Sequence, residues 1–390
     1  TQGAGTAAAM TIVYAYDAFG RRSTETVSPG VLNLITTYTY DANDNVVSKT
    51  DASGRVTRFS YDAANRLRFS VDGAGSVSEV VYDAAGRATM TRTYAKVAVI
   101  TGLSAAPSEA EVAALVTAQT LANDAQDDVS YRIYDRDGRL AMTVDGTGGA
   151  TEIVYDSAGR KVLERRYAQS AVLNATLRGQ LQAGTATVAT LRAAAGPNAA
   201  KDLQTRYVYD AAGQMVFMLD AVGAVTRNWY DAAGRVVASR RYATAVNFAG
   251  VTDTTSVATL QALVVENLAD QGEYRVYDSA GRVAYLIDLA GTLQQIGYDA
   301  AGRMTVTRTY ATLFSVGTTL RDALRAGTAT VADFATFATA NESAARTQAM
   351  VYDTAGRARY TVTRSAAGIA QVTETQYDAA GRVVASVQYG

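Results

Sequence analysis

WYDAAGR at residues 229–235 contains a phrase that returns throughout the chain of 390 residues. Close copies occupy 81–87, 154–160, 276–282, 297–303, 351–357 and 376–382. A Tyr-Asp pair opens twelve such copies, at Tyr16, Tyr40, Tyr61, Tyr82, Tyr134, Tyr155, Tyr209, Tyr230, Tyr277, Tyr298, Tyr352 and Tyr377. Because repeats stack on their neighbours, this recurrence predicts one continuous array over residues 1–390 rather than separate globular domains.

The spacing of the Tyr-Asp (YD) copies indicates a β-meander. From Tyr61 onward, short and long gaps alternate, which gives larger units that begin at Tyr61, Tyr134, Tyr209, Tyr277 and Tyr352. A weaker turn signal lies inside the short gap of each of the first four units, at 71–75, 144–148, 219–223 and 287–291. A turn every ten or eleven residues is typical of antiparallel strands joined in sequence.

The hexapeptide Y-D-x-A-G-R has the chemistry of a tight hairpin. Its Asp can accept backbone N–H bonds two residues on, and its Gly can take the positive φ of a type I turn with a bulge. Any other residue there would cost about 1 kcal/mol or more. Arg begins the return strand, where it can lie across the Asp or a neighbouring strand, and Tyr is suited to stacking with Tyr of adjacent hairpins. The predicted structural turn residues are Tyr82, Asp83, Gly86, Arg87, Tyr155, Asp156, Gly159, Arg160, Tyr230, Asp231, Gly234, Arg235, Tyr298, Asp299, Gly302, Arg303, Tyr377, Asp378, Gly381 and Arg382.

Four insertions interrupt the meander, and their patterns predict helices at about 95–130, 168–205, 243–273 and 311–348. Each follows a Tyr-Ala pair seven residues after a turn Arg. Ser108 with Glu111 resembles a capping box, and leucines recur at i+4 from Leu173 to Leu181. The heptapeptide AGTATVA occurs at 183–189 and 326–332, so two inserts are related helical hairpins. In the third insert, Val257, Leu260, Leu263, Val264 and Leu268 predict one helix whose apolar stripe covers the sheet.

Composition excludes several classes of function. Charge is balanced, with 36 basic and 37 acidic residues, which argues against a nucleic-acid partner. The chain has no Cys and no His, so thiolate and imidazole chemistry are absent. No run of about 18 apolar residues predicts a membrane span. We therefore expect no enzyme activity and no catalytic, cofactor-binding or metal-binding residues.

Three sharper functions compete with that structural interpretation. Periodic Asp residues could be catalytic, but each is placed beside an Arg in a turn, as structural carboxylates are. DANDN at 41–45 resembles a calcium loop, yet Val46 and Ala52 stand where that loop requires Gly and Glu. Tyr beside Arg could stack on sugar rings, although a Tyr before a tight turn is more often packed between strands. Arg165-Arg166 and Arg240-Arg241 could bind acidic glycans, but alternation sends each pair to opposite faces.

The phrase Y-D-x-x-G-R resembles the YD repeat of the RHS family, which includes bacterial polymorphic toxins, shell components of Tc toxin complexes and teneurins. Nine copies keep both the Gly and the following Arg, and the resemblance extends from Tyr14 to Tyr389 outside the inserts. It implies a mainly β fold of antiparallel hairpins wound into a hollow shell or tube, to which this chain adds short helical insertions at the regular interval of its larger units. Unlike toxin relatives, this sequence has no Asp-Pro-x-Gly segment, and its regular inserts are unusual for a closed shell.

The resemblance and the repeats together predict a non-catalytic structural scaffold of a large secreted or cell-surface protein of bacterial origin, as a tube, filament or shell wall. A toxin-enclosing cocoon and a carbohydrate-binding adhesin are the alternatives. The corresponding partners are further copies of the chain, an enclosed cargo polypeptide or glycans. Because Tyr389 and Gly390 fall where a further insert would begin, we also expect the sequence to be a fragment of a longer array.

Overall fold

A computed structural model describes residues 12–27, 33–123, 126–198, 200–247, 251–252, 254–365, 368 and 370–389 of the protein. These residues contain 24 β-strands and six short α-helices. The predicted mainly β fold, with antiparallel YD hairpins and helical insertions, is therefore confirmed. The chain forms two compact units, one of residues 1–154 with 164–203 and the other of residues 155–163 with 204–390.

Twelve strands precede residue 167. They are β1 Ile12–Tyr16, β2 Arg22–Val27, β3 Leu34–Tyr40, β4 Val46–Thr50, β5 Val56–Tyr61, β6 Leu67–Val71, β7 Val77–Tyr82, β8 Ala88–Thr93, β9 Asp128–Tyr134, β10 Leu140–Asp145, β11 Ala150–Tyr155 and β12 Lys161–Arg166. From β1 to β11, each strand pairs antiparallel with the next one in sequence. The first unit is therefore a meander, as the turn spacing predicts.

The second unit repeats this plan. Its strands are β13 Leu203–Tyr209, β14 Met215–Leu219, β15 Val225–Tyr230, β16 Val236–Arg241, β17 Gln271–Tyr277, β18 Val283–Asp288, β19 Leu293–Tyr298, β20 Met304–Thr309, β21 Arg346–Tyr352, β22 Ala358–Arg364, β23 Ala370–Tyr377 and β24 Val383–Tyr389. Consecutive strands again pair antiparallel throughout. In each unit the YD turns lie at one end of the strands, which we call the YD end of the sheet. The weaker turns and the inserts lie at the opposite end.

The helices lie in the four inserts. They are α1 Glu109–Ala118, α2 Ala175–Gln182, α3 Val188–Ala195, α4 Val257–Leu263, α5 Thr318–Ala326 and α6 Ala332–Asn341. Ser108 caps α1, because its side chain accepts the Glu111 N–H at 3.2 Å. Strands resume at 128, 203, 271 and 346, so each insert ends slightly earlier in the sequence than expected.

The helix predicted in the third insert is shorter than its apolar pattern suggests. α4 ends at Leu263, Val264 is already extended, and Leu268 is fully exposed. The predicted stripe was wrong beyond Leu263 because the chain must return within seven residues to begin β17 at Gln271.

A β-bulge after the YD turns shapes the core. In β7–β8 the pairing shifts between Val81 and Tyr82, so β8 carries one extra residue. As a result, the consecutive residues Thr89 and Met90 are both buried, whereas simple alternation would bury only one. The same double burial occurs at Ala141–Met142, Val216–Phe217 and Ala284–Tyr285.

The core consists of four clusters, one beneath each insert. Val112 of α1, for example, packs with Phe69, Val71 and Val77 of the preceding strands. Leu260 of α4 packs with Phe217 in the same manner. Each insert therefore folds back onto strands that precede it in the sequence.

Candidate functional site: the turn ladder and the insert bases

Each YD turn is closed by its own Asp and Arg, as residues 83–87 show. Asp83 Oδ1 accepts the N–H groups of Ala85 and Arg87, both at 2.9 Å. Arg87 Nε donates to Asp83 Oδ2 at 2.8 Å, and the Gly86 N–H bonds Asp83 O at 3.0 Å. Gly86 has φ +82°, a conformation that costs other residues strain. The Asp–Arg contacts recur around Asp156, Asp231, Asp278, Asp299, Asp353 and Asp378.

Two turns reach the same backbone shape without glycine. Asp44 has φ +65° and Asn65 has φ +59°, and these residue types tolerate the left-handed region best after glycine. The DANDN segment is thus a hairpin turn in which Asp41 accepts the N–H groups of Asn43 and Asn45. Asp44 of this turn pairs with Arg21 at 2.7 Å.

Successive YD turns are linked by arginine. The guanidinium of one turn lies over the Tyr ring of the next YD turn, as Arg282 does over Tyr298 at 4.5 Å from the ring centre. Such contacts stabilise by about 0.5–2 kcal/mol each. Seven further pairs have centre distances from 4.3 to 4.7 Å: Arg21–Tyr40, Arg66–Tyr82, Arg87–Tyr134, Arg160–Tyr209, Arg235–Tyr277, Arg303–Tyr352 and Arg357–Tyr377.

The tyrosine hydroxyl completes each link. Tyr298 donates to Val283 O at 3.0 Å, a carbonyl that directly follows the arginine stacked on its ring. Tyr82, Tyr230 and Tyr377 make the corresponding bonds at 2.8–2.9 Å. We call this row of turns, with its Arg–Tyr contacts and hydroxyl bonds, the turn ladder. Tyrosine therefore contacts the arginine of the preceding turn, where the sequence predicted another tyrosine.

The arginine-paired aspartates of the turn ladder are held ionised. Burial favours the neutral form of Asp83, but the Arg87 backbone N–H and guanidinium outweigh it, so the pKa of Asp83 lies below its ordinary value. In Asp353 the Arg357 backbone N–H is the largest effect and again lowers the pKa. A carboxylate held in this way serves as a turn anchor and not as a proton donor.

A second recurring arrangement closes the start of an insert against its end; we call it the insert base. In the first insert, Asp127 Oδ1 accepts the Ala95 N–H at 3.0 Å and Oδ2 accepts the Asn123 N–H at 2.9 Å. Asp202 and Asp270 do the same in the second and third inserts, with first bonds of 2.9 Å. Sequence reasoning missed these residues, although an Asp directly before the returning strand, with an Asn three or four residues earlier, marks all three.

The fourth insert base lacks this carboxylate. Ala345 stands directly before β21 and is fully buried. An ion pair between Arg308 Nη2 and Glu342 Oε1, at 2.9 Å, links strand and insert instead.

In three of the four Tyr-Ala pairs the tyrosine hydroxyl donates to an acidic or amide side chain of the preceding sheet. Tyr94 donates to Glu79 Oε2 and Tyr167 to Glu152 Oε2, both at 2.5 Å, and Tyr310 donates to Gln295 Oε1 at 2.8 Å. Burial, and then the neighbouring Glu79, raises the pKa of Tyr94. These three hydroxyls are consequently neutral donors that anchor the beginning of the first, second and fourth inserts.

The tips of the two helical hairpins contact the sheet at the end that carries the YD turns. A Cβ at Gly327, within the second AGTATVA segment, would lie 2.4 Å from Asp231 Cβ. Gly184 of the first AGTATVA segment similarly faces Thr89 at 3.5 Å. The repeated heptapeptide is thus explained by close approach of the hairpin tip to the sheet beside a YD turn.

The arginine pairs divide between faces as alternation predicts. Arg165 pairs with buried Glu152, whereas Arg166 is exposed. Arg240 is buried beside Glu266 and Asp270, whereas Arg241 is exposed with Asp220 at 3.3 Å. Neither pair presents two adjacent guanidinium groups to one ligand.

Two findings concern the described part of the chain only. Its acidic side chains nowhere gather in threes as ligands for a metal ion. None of its helices has the length and apolar character needed to cross a bilayer.

Comparison with known proteins finds one repeat match and a similar fold. Residues 40–77 match the RHS Repeat family model, which confirms the resemblance seen in the sequence. The chain is similar in fold to the crystal structure of TcdB2-TccC3 without its hypervariable C-terminal region, with a TM-score of 0.51 and 15% identity over 97% of this chain. The structure of TcdB2-TccC3-Cdc42 is similar at a TM-score of 0.49 and 15% identity over the same share.

The chain spans only 18% of the length of each of these two structures. No curated protein shows significant sequence similarity to it. The comparisons thus concern the fold of a short part of a much larger assembly.

Proposed function

We propose that the chain is a non-catalytic wall segment of a hollow RHS-type shell that encloses a polypeptide cargo. The turn ladder is the observation that supports this role. Its Asp, Arg and Tyr side chains are committed to one another, and each link joins one hairpin to the next. Such an array extends by adding hairpins and needs no ligand for its stability.

Two features support enclosure over glycan binding or catalysis. The rings of the linked YD tyrosines are covered by arginine and their hydroxyls are bonded to backbone, so neither is free to stack on a sugar. The fold with a TM-score above 0.5 is that of TcdB2-TccC3, and TccC3 is also part of a Tc holotoxin of Photorhabdus luminescens. On this proposal the protein acts outside the bacterial cell that makes it, as a container without enzyme activity of its own.

An open tube or filament is the second candidate. It is favoured by the regular inserts, since one follows each of the units that begin at Tyr61, Tyr134, Tyr209 and Tyr277 and covers the strands before it. Constant rotation and rise per unit produce an open assembly unless the array closes on itself.

Electron microscopy of the purified protein in its natural full length tests the choice. A shell gives discrete hollow particles, and a protease then degrades an internal polypeptide only after the wall has been denatured. Filaments of indefinite length would support the second candidate instead. Compact particles without a cavity and without a protected polypeptide would contradict both.

A further inference from the structure

A polar pocket of about 380 Å³ lies between the end of the third insert and the start of the fourth. Its wall includes Arg240, Asp270, Tyr274, Phe314 and Arg321. The pocket is separate from the turn ladder, since it lies at the opposite end of the strands, beside the turn that begins at Asp288.

Two guanidinium groups of this pocket have unused donors. Arg240 is 8% exposed, and its Nη1 pairs with Glu266 and lies 3.6 Å from Asp270 Oδ2. Its Nε is buried without a hydrogen-bond acceptor among the described residues, and so is the Nε of Arg321. A buried charged donor without an acceptor is costly, which favours an occupant that supplies one.

The carboxylates beside these arginines already have other partners. Glu266 is shared between Arg240 and Arg325, the latter at 2.7 Å. Both oxygens of Asp270 already accept backbone N–H groups, from Ala243 and Asn267.

Asp288 is the remaining acidic group at the wall. Its side chain lies at the exposed end of β18, and its Oδ1 accepts the Thr292 N–H at 2.8 Å. The wall thus carries two arginines and two carboxylates, and both carboxylates already accept backbone N–H groups.

The related hairpin in the second insert differs at the position of Arg321. Arg178 stands at the position of Arg321, three residues before the last leucine of its helix. Its Nε donates to Leu173 O at 3.0 Å. The same residue type is thus satisfied by its own insert in one hairpin and directed to a pocket in the other.

We propose that this pocket binds a small oxyanion, a carboxylate or a phosphate, held by Arg240 and Arg321. Guanidinium groups match the planar geometry and the charge of such anions and bind them in hydrogen-bonded pairs. The bound anion joins the third insert to the fourth. The site stands independently of the proposed wall function, since it requires only the local fold.

Isothermal titration of the purified chain with sodium phosphate and, separately, with sodium acetate at constant ionic strength tests the site. We expect saturable binding of one anion per chain. Arg321→Gln should weaken it by about 10-fold or more, because hydrogen bonds to charged groups contribute about that much. Arg178→Gln is the matched control and should change the affinity by less than about twofold. Binding of acetate alone identifies a carboxylate site, and binding of phosphate alone identifies a phosphate site.

Two results would overturn the proposal. One is that neither anion binds saturably; the other is that Arg178→Gln weakens binding as much as Arg321→Gln, which would indicate a general charge effect. Arg321→Lys keeps the charge but removes Nε, so it should also bind weakly. Circular dichroism of each variant checks that the hairpin remains folded.

Discussion

Two neighbouring meanders of the second unit share a strand plan but differ in their cover. In the covered meander, β17–β20, Tyr285 lies opposite Gln295, is 2% exposed and packs beneath Phe334 of α6, with ring centres 5.0 Å apart. In the meander β21–β24, which is followed by no insert within the described residues and which we call the uncovered meander, Tyr360 lies opposite Glu374 and is only half-buried. The helical insert therefore converts a half-exposed sheet face into core.

The polar centres of the two meanders differ in charge. Tyr310 donates to the neutral amide of Gln295 at 2.8 Å in the covered meander. In the uncovered one, Tyr389 donates to the carboxylate of Glu374 at 2.9 Å, and Arg359 and Tyr360 approach the same group at 3.0 Å. The hydrogen bond from Tyr389, and then that from Arg359, lowers the pKa of Glu374 to about 2.

The comparison separates what is local from what is not. YD turns with the same Asp–Arg geometry occur in both meanders, at Asp299 and at Asp378, because their contacts lie within five residues. Burial of the sheet face depends on an insert that arrives from elsewhere in the sequence. Stability should accordingly be concentrated beneath the helices.

The largest expected effect is on the covering helix. Phe334→Ala should lower the free energy of unfolding by about 3–5 kcal/mol, because the ring is fully buried over Tyr285. Val383→Ala in the uncovered meander is the control and should cost less than about 0.5 kcal/mol, since Val383 is 61% exposed. Urea unfolding measures both values. Equal losses would show that the insert does not build the core.

The hairpin tip gives the next effect. Gly327→Ala should cost about 2–4 kcal/mol, because it adds strain at φ +69° to a clash of the new Cβ with Asp231. Gly20→Ala has a similar φ of +79° and nothing within 4 Å, so it should cost only about 1 kcal/mol. Unfolding in urea again separates strain from contact. If Gly327→Ala lowers the free energy of unfolding no more than Gly20→Ala, the contact between the hairpin tip and Asp231 is not tight enough to resist a methyl group.

A smaller effect is expected from the turn ladder. Arg282→Ala should cost about 1 kcal/mol, since it removes the pair with Asp278 and the contact with the Tyr298 ring. Arg382→Ala should cost under about 0.5 kcal/mol, because Arg382 is 68% exposed and keeps only its pair with Asp378. The difference in thermal unfolding between the two variants reports the link from Arg282 to the next turn, which consists of the contact with the Tyr298 ring and a hydrogen bond to Asp299 O. Identical unfolding temperatures would argue against a stabilising ladder.

Much of this architecture could be predicted from the sequence, because YD turns are decided within six residues. The positive φ at Gly86 and the Asp83–Arg87 contacts follow from turn chemistry alone. The Arg–Tyr links between turns do not follow from turn chemistry, because they depend on how the strands are placed side by side. The bulge that buries Thr89 together with Met90 was hidden from a pattern of simple alternation.

The inserts were harder to predict for a related reason. Their helices could be located from caps and leucine spacing, but α4 ended early because the returning strand limits its length. The insert bases join residues far apart in the sequence, such as Ala95 and Asp127. The Asp and the Asn shortly before it form a local signal, but a single sequence does not show which distant N–H group the Asp binds. The sequence does not distinguish Arg321 from Arg178, because the difference lies in their surroundings: Arg178 Nε donates to Leu173 O, whereas Arg321 Nε has no acceptor among the described residues.

The smallest effect concerns pH and sharpens the contrast between the two polar centres. Because the pKa of Glu374 is lowered in the folded protein, its contribution is fully present above about pH 4.5 and is lost as the pH falls towards 2. Gln295 does not titrate, and the turn aspartates Asp299 and Asp378 have lowered pKa values, so they act in the same direction in both meanders. Amide hydrogen exchange at pH 6 and pH 3, corrected for intrinsic rates, should therefore show a greater loss of protection in β23–β24 than in β19–β20. Glu374→Gln should abolish that extra loss. If the variant still loses more protection in β23–β24 at pH 3, the acid sensitivity of the uncovered meander must arise from groups other than Glu374.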